Sequence, residues 1–188
     1  STLFPYTTLF RSRTGRHLLA AAVSILIALG STHAQDEFPV PAGNINQLFY
    51  LQRTSNTNTI VCELNYNDGI LNEKKPVHVF WLRYAEQGQR EELSYIQRTF
   101  AYGIKTKILS KDKYELRFVS YKKYLMHLMK ATNGKYYVFV KIQGKQAILN
   151  RLFIKINGGS FWSPNVEYME IKGIDITNGN EVAERIKP

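Results

Sequence analysis

The basic side chains of this chain are concentrated in one central segment. Residues 97–155 contain 14 Lys or Arg and only 2 Asp or Glu, whereas residues 35–96 and 156–188 are both net acidic. A segment with so uneven a charge creates a positive surface potential that attracts anions. Anion binding is therefore the first chemistry to consider in a chain whose formal net charge is +10.

Alternation within this segment predicts which of its side chains share a face. Successive residues of a β-strand point to opposite sides of the sheet, so every second residue lies on one face. The predicted inner, aliphatic face includes Ile104, Ile108, Tyr114, Leu116, Phe118, Val138, Val140, Ile142, Ile148, Leu152, Ile154 and Ile156. The predicted outer face carries Lys113, Glu115, Leu149 and Phe153 and the candidate ligand-binding residues Lys105, Lys107, Arg117, Tyr137, Phe139, Lys141, Arg151 and Lys155.

An outer face of this kind is typical of surfaces that bind polyanions. Cations neutralise phosphates and interleaved aromatic rings stack on bases, which is how many proteins bind nucleic acid. Because the N-terminus predicts export, we expect no nucleic-acid partner and favour an anionic glycan or lipid headgroup of the cell envelope. The alternative is that the lysines only solvate the outer face and protect sheet edges from pairing.

Signals of catalysis are scarce. Residues 35–188 contain two histidines, His78 and His127, and neither has metal-ligand spacing around it. The nucleophile elbow, the zinc-protease helix motif and the phosphate-binding glycine loop are all missing from the sequence. We therefore predict no cofactor, no metal and no identifiable catalytic residue.

Acidic pairs keep an enzymatic alternative open. Glu91-Glu92 and the pair Glu181 and Glu184 suit a helix start or a solvated terminus better than a glycosidase dyad, which needs two carboxyls across a cleft. A carboxylate-based hydrolase or carbohydrate-modifying enzyme is thus the alternative to non-catalytic binding. A third possibility is a structural subunit that assembles through an exposed edge strand.

Two further groups are secondary candidates for ligand binding. The polar stretch from Arg53 to Thr59, with Asn56 at its centre, separates two apolar strands, and its side chains can cap the backbone of a tight loop. The second group contains residue types that are enriched at binding surfaces, although they also occur in cores. Its members are Trp81, Arg83, Tyr84 and Trp162.

The elements that must position these residues are mainly strands. Glycine- and asparagine-rich turns separate short apolar runs, which predicts antiparallel hairpins. The predicted strands are 47–53, 58–65, 77–84, 104–109, 113–121, 124–131, 136–142, 146–156 and 166–173. A helical period in Leu93, Ile96, Gln97, Phe100 and Ala101 predicts one short helix near 91–102, ended by a left-handed Gly103. The alternative is a further strand through 93–102. We expect a mainly β fold, as a single antiparallel β-sandwich or open barrel.

The N-terminus predicts a leader that is not part of the fold. Residues 1–12 resemble a translated sequencing adapter, so we expect them to be an artefact. Basic residues, an apolar run at 18–29 and small residues before Ala34 predict a signal peptide at 13–34. Cleavage near Ala34 would leave one β-rich domain, 35–188, that is periplasmic or extracellular and has no transmembrane segment. Cys62, the one cysteine in the chain, is expected to be buried and inert.

Several short stretches resemble a known family. They are QLFYLQRTSNTNTIV at 47–61, PVHVFW at 76–81, SYIQR at 94–98, AYG at 101–103, GGSFW at 158–162 and KGID at 172–175. In these stretches the chain is similar to exported bacterial proteins whose shared region is a domain of unknown function, DUF4833. The likeness covers nearly all of 38–188. It implies domain boundaries and export, and it implies no reaction, cofactor or catalytic residue.

Overall fold

The computed structural model describes residues 38–54, 56–160 and 162–187. The predicted artefact 1–12 and the predicted signal peptide 13–34 lie outside these residues. The described part is mainly β, with a 3-10 turn at Tyr84–Glu86 and a π-helical turn at Gln97–Ala101. The predicted class, a mainly β fold with one short helix, is confirmed, and of the two predicted architectures the open barrel applies.

Thirteen strands form the described fold, eleven of them in one strongly curled sheet. In chain order they are β1 Gln47–Arg53, β2 Asn56–Leu64, β3 Tyr66–Asn67, β4 Ile70–Leu71, β5 Val77–Arg83, β6 Gln89–Glu92, β7 Ile104–Ser110, β8 Lys113–Phe118, β9 Met126–Lys130, β10 Tyr136–Ile142, β11 Lys145–Gly159, β12 Pro164–Asp175 and β13 Glu181–Ile186. Strands β3 and β4 form a separate small hairpin.

The sheet branches at β11, its longest strand. One edge of β11 pairs with β12, which in turn pairs with β13. The other edge is shared: Lys145–Ile148 pair antiparallel with β10, and Arg151–Ile154 pair parallel with β1. Two wings therefore leave the same edge, one ordered β10-β9-β8-β7 and the other β1-β2-β5-β6. The parallel β1–β11 pairing makes the sheet mixed, whereas a mainly antiparallel domain was predicted.

The core lies where the inner faces of the two wings meet. Phe49 of β1 packs edge-on against Phe118 of β8, with ring centroids 6.2 Å apart. Trp81 of β5 packs in the same way on Tyr102, which precedes β7, at 5.3 Å. Cys62 is fully buried in this core, as predicted, and burial raises the pKa of its thiol. The curled half-barrel thus encloses one apolar interior between its wings.

A local irregularity corrects the predicted faces of β11. Its register with β12 shifts between Leu149 and Arg151, so that Asn150 is the extra residue of a bulge. A bulge reverses the phase of alternation beyond it. Leu149 is therefore fully buried although it was predicted to point outward, and Ile148, predicted to be inner, is only partly buried. Ile108 lies opposite buried Tyr114, on the predicted face, but it is 54% exposed because β7 is an edge strand.

The helix prediction was too long, and its face was wrong. Glu91 and Glu92 lie in strand β6, and the helical turn covers only Gln97–Ala101. Of the predicted apolar face, Leu93 is buried but Ile96 and Phe100 are largely exposed. Three further elements, the β3–β4 hairpin, β6 and β13, were not predicted because they are short or rich in charged and polar residues.

Gly103 ends the helical turn for a reason other than the one predicted. It does not adopt a left-handed φ. Instead, a Cβ at this position would lie 1.9 Å from the carbonyl oxygen of Arg98. Only glycine lets the backbone turn so closely back towards β7.

The substitution Gly103→Ala should therefore destabilise the fold, because backbone atoms must move to accept the methyl group. We expect a loss of more than about 2 kcal/mol in the free energy of unfolding, measured by urea denaturation. Gly43→Ala is the control, because a Cβ there meets nothing within 4 Å. Equal urea midpoints for Gly103→Ala and Gly43→Ala would contradict this explanation.

Candidate functional site

The outer surface of the β7–β10 wing carries most of the predicted ligand-binding residues. Along β8, buried Tyr114, Leu116 and Phe118 alternate with more exposed Lys113 and Arg117, as predicted. The same alternation in β10 buries Val138, Val140 and Ile142 and turns the residues between them outward. The outward residues of this wing are called the basic face: Lys105, Lys107, Lys113, Glu115, Arg117, His127, Met129, Tyr137, Phe139 and Lys141.

Strand register brings these residues side by side. Lys105 is paired with Arg117 across β7 and β8. A row then runs across all four strands, because Lys107 pairs with Glu115, Glu115 with His127, and His127 with Phe139. Residues directly opposite on neighbouring strands have Cβ atoms about 5 Å apart. The basic face is thus one contiguous surface.

The charge on this face is poorly balanced. Glu115 is the one carboxylate on β7, β8, β9 and β10, and it accepts a hydrogen bond from Arg117 Nε at 2.8 Å. That hydrogen bond holds the pKa of Glu115 below its usual value. Arg117 also donates to the carbonyl of Lys122. The lysines of the face form no ion pair with any residue the structure describes, so their charges are available to a ligand.

Two aromatic rings lie among these cations. Tyr137 and Phe139 are partly buried, and their rings meet edge to face with centroids 6.3 Å apart. Asn133 donates a hydrogen bond to the hydroxyl of Tyr137. The face therefore combines exposed lysine side chains with a partly buried aromatic pair.

Arg151 and Lys155 are separated from this group, although the sequence grouped them with it. They lie on the second half of β11, which pairs with β1 rather than with β10. Arg151 Nε donates to Gln52 Oε1 at 2.8 Å, and its guanidinium lies over the ring of Phe153. Lys155 lies opposite Tyr168 of β12.

The lead-in segment, which is residues 38–46 before β1, covers this part of the outer surface. Phe38 packs edge-on against Phe153, and Gln52 Nε2 donates to the carbonyl of Pro39 at 2.8 Å. Phe153 is consequently buried. The β11 surface beside Arg151 is therefore occupied by the protein itself.

Most of the secondary candidates have structural roles. Trp81 is buried in the core, and its Nε1 donates to Gln97 Oε1. Arg83 forms ion pairs with Glu86 and Glu91. Tyr84 begins the 3-10 turn, and Asn56 Oδ1 accepts a hydrogen bond from the Asn58 backbone. Arg53 and Trp162, in contrast, line a cavity.

A charged cluster around His78 was not predicted. Its Nε2 lies 2.9 Å from Glu92 Oε2 and its Nδ1 lies 3.3 Å from Glu63 Oε1. Arg90 Nη2 is 2.6 Å from the same Glu63 oxygen, and its guanidinium covers the ring of Phe80. These residues come from β2, β5 and β6, so only strand pairing brings them together.

The electrostatics of this cluster disfavour a glycosidase dyad. Burial opposes ionisation of Glu63, but hydrogen bonds from Arg90 and His78 outweigh it and lower the pKa of this carboxyl. A general acid at neutral pH needs the opposite, a raised pKa. Glu92 lines a second cavity of about 410 Å³ between β5 and β7, whereas Glu63 does not. The hydrolase alternative stays a prediction, and Glu63 does not suit the role of its general acid.

Comparison with known proteins identifies the family. A model of a domain of unknown function, DUF4833, matches residues 49–185. The chain belongs to the DUF4833 family. This confirms the resemblance seen in the sequence, and the matched region of DUF4833 contains every strand of the basic face. No curated protein and no solved structure matches the chain.

The described residues of this DUF4833 protein contain neither a candidate membrane-spanning helix nor a cluster of metal-ligating side chains. Within 38–54, 56–160 and 162–187, no helix is long and apolar enough to cross a membrane. Among these residues, no group of three or more His, Cys, Asp or Glu is arranged to hold a metal ion.

The lowered pKa of Glu63 predicts a pH-dependent contribution to stability. A carboxyl with a depressed folded-state pKa stabilises the fold above its unfolded pKa of about 4.3, and loses this effect as pH falls towards the folded value. Glu63→Gln should therefore lower the free energy of unfolding by about 1–3 kcal/mol at neutral pH. The difference in the free energy of unfolding between Glu63→Gln and the wild type should shrink below about pH 4.

Urea denaturation over a range of pH measures this difference. Glu73→Gln is the control, because Glu73 is exposed and forms no ion pair with a described residue. A Glu63→Gln effect that is constant across the acidic range would refute the electrostatic explanation.

Proposed function

We propose that this DUF4833 domain binds anionic lipid headgroups at a membrane surface through its basic face, without catalysing a reaction. The observation that carries the proposal is the group of four outward lysines, Lys105, Lys107, Lys113 and Lys141, on one surface with a single carboxylate. A lysine close to an anionic membrane contributes about 1 kcal/mol. Four of them would contribute about 4 kcal/mol, or a factor of about 1,000 in affinity.

The shape of the face favours an extended partner. No residue of the basic face lines either the cavity beside Arg53 or the cavity beside Glu92. A layer of headgroups can contact many cations of a broad sheet surface at once, whereas a small ligand cannot. Tyr and Trp are also enriched at the headgroup level of membranes, which suits Tyr137.

The predicted signal peptide supports an envelope lipid over nucleic acid as the partner. It would bring the domain into a compartment where anionic headgroups and acidic glycans are the available polyanions. Glycans carry similar charges but do not form a continuous apolar boundary for the aromatic pair. We therefore favour the lipid surface and treat the glycan as an outcome of the test.

Edge protection explains only part of the basic face. β7 is an edge strand, and Lys105 and Lys107 on it would discourage pairing with another chain. Lys113 and Lys141 lie on β8 and β10, which have neighbours on both sides. Those two lysines have no edge to protect. The same lysines on β7 also disfavour the third hypothesis, assembly through an exposed edge strand.

The test replaces the two interior-strand lysines. The double variant Lys113→Gln with Lys141→Gln should bind vesicles of phosphatidylglycerol and phosphatidylcholine about 30-fold more weakly than the wild type, because about 2 kcal/mol of attraction is lost. Wild-type binding should fall steeply with added salt and vanish on pure phosphatidylcholine. Co-sedimentation with the vesicles measures both effects.

The matched control is Lys74→Gln with Lys75→Gln, which removes the same charge from an exposed loop. Equal losses in the two double variants would show that only net charge matters, and would reject the basic face as the site. Binding to soluble polygalacturonate in preference to vesicles would reassign the partner to an acidic glycan.

A further inference from the structure

A large apolar cavity opens at one end of the half-barrel, away from the basic face. Its volume is about 610 Å³, within the range of small-molecule sites. The walls come from the end of β1, from β11 and β12, and from the helical turn before β7. Its apolar lining consists of Ile154, Ile156, Val166, Met169 and Ile186 with the aromatic residues Phe100, Tyr102, Tyr121 and Trp162.

The mouth of the cavity exposes large apolar side chains to solvent. Phe100 is 55% exposed and Trp162 is 67% exposed, and their rings meet edge to face with centroids 5.7 Å apart. Tyr95 and Ile96, which directly precede the helical turn, are also exposed. A concentration of exposed apolar side chains is typical of an interaction site, whereas single exposed apolar residues are common on protein surfaces.

Arg53 is the one charged residue among those that line the cavity. It forms no ion pair with any described residue, and its Nε is buried without a hydrogen-bond partner. Burial raises the pKa of neighbouring Tyr102 although the charge of Arg53 opposes this, so the phenol stays neutral and supplies no counter-charge. Arg53 as a whole is only partly buried, but a buried guanidinium N–H without an acceptor is energetically unfavourable.

The backbone that carries Arg53 is held firmly. The next residue, Thr54, donates its hydroxyl hydrogen to the Ile156 carbonyl and accepts from the Ile156 backbone N–H, at 2.9 and 2.7 Å. Its own N–H donates to the carbonyl of Ile154. The end of β1 is thus clamped to the cavity wall, and Arg53 is presented from a fixed position.

We propose that this cavity binds an anionic single-chain amphiphile, with the apolar chain against the aliphatic and aromatic walls and the anionic head on Arg53. The apolar lining accounts for the chain, and the guanidinium without a protein counter-ion accounts for the charge. The site shares no residue with the basic face, so this inference does not depend on the proposed function.

Binding can be measured with soluble probes in the absence of vesicles. The wild-type chain should bind dodecanoate about tenfold or more tightly than dodecanol, because the neutral alcohol lacks the partner for Arg53. Bromine-labelled dodecanoate should quench the fluorescence of Trp162 at the mouth, and Trp162→Phe should remove that quenching.

Variants of Arg53 test the role of the charge. Arg53→Gln should weaken dodecanoate binding about tenfold or more and leave dodecanol binding unchanged, whereas Arg53→Lys should retain most of the affinity. Arg83→Gln is the control, since Arg83 is paired with Glu86 and Glu91 and does not line the cavity.

Several results would overturn the inference: no binding of either probe, equal wild-type affinities for acid and alcohol, or an Arg53→Gln variant that binds both as the wild type does. The comparison of dodecanoate with dodecanol uses the wild-type chain, so it does not depend on whether any variant folds. The vesicle assay tests lysines of the basic face, whereas the probe assay tests Arg53. Each proposal can therefore fail without the other.

Discussion

The hydrogen-bond ladder along one edge of β11 is the constraint on which the rest of this fold depends. That edge is divided between two strands, antiparallel β10 and parallel β1, and a strand has only two edges to offer. Pairing with β10 ends at Ile148 and pairing with β1 begins at Arg151, so the bulge at Asn150 lies where one partner replaces the other. The added bend and twist of a bulge let the two wings diverge and then face each other across the core.

This branching assigns different chemistry to different surfaces. Each wing has one face in the common core, so its other face must be polar, covered or used for binding. The outer face of the β1-β2-β5-β6 wing is partly covered by the lead-in segment around Phe38, whereas the lysines on the outer face of the β7–β10 wing are exposed. The end of the half-barrel, where β1 stops against β11, is left as an apolar cavity with Arg53 in its wall.

The two proposed sites differ in their physics. The basic face would act through many weak, salt-sensitive attractions to an extended surface, and its residues need not be held precisely in place. The cavity would act through apolar burial and one fixed charge, which requires the clamp that Thr54 provides. The His78 cluster has a third character, because its cations and carboxylates pair with each other. It therefore contributes to the stability of the β1-β2-β5-β6 wing and offers no unsatisfied group to a ligand.

The sequence by itself determined the local features of this protein. Strict alternation in β8 and β10 decided which side chains face the core, and the Gln143-Gly144 pair, with φ of 51° and 77°, decided the tight β10–β11 hairpin. Such features depend on neighbours in the chain, and they placed Lys105, Lys107, Arg117, Tyr137, Phe139 and Lys141 on one side of neighbouring strands. Only the tertiary structure decided that β11 pairs with both β10 and β1, that its faces change at Asn150, that Arg151 is held by Gln52, and that Arg53 lines a cavity. These depend on contacts between residues up to about a hundred positions apart, as in the Thr54–Ile156 hydrogen bond, and no local pattern records which distant strands will meet.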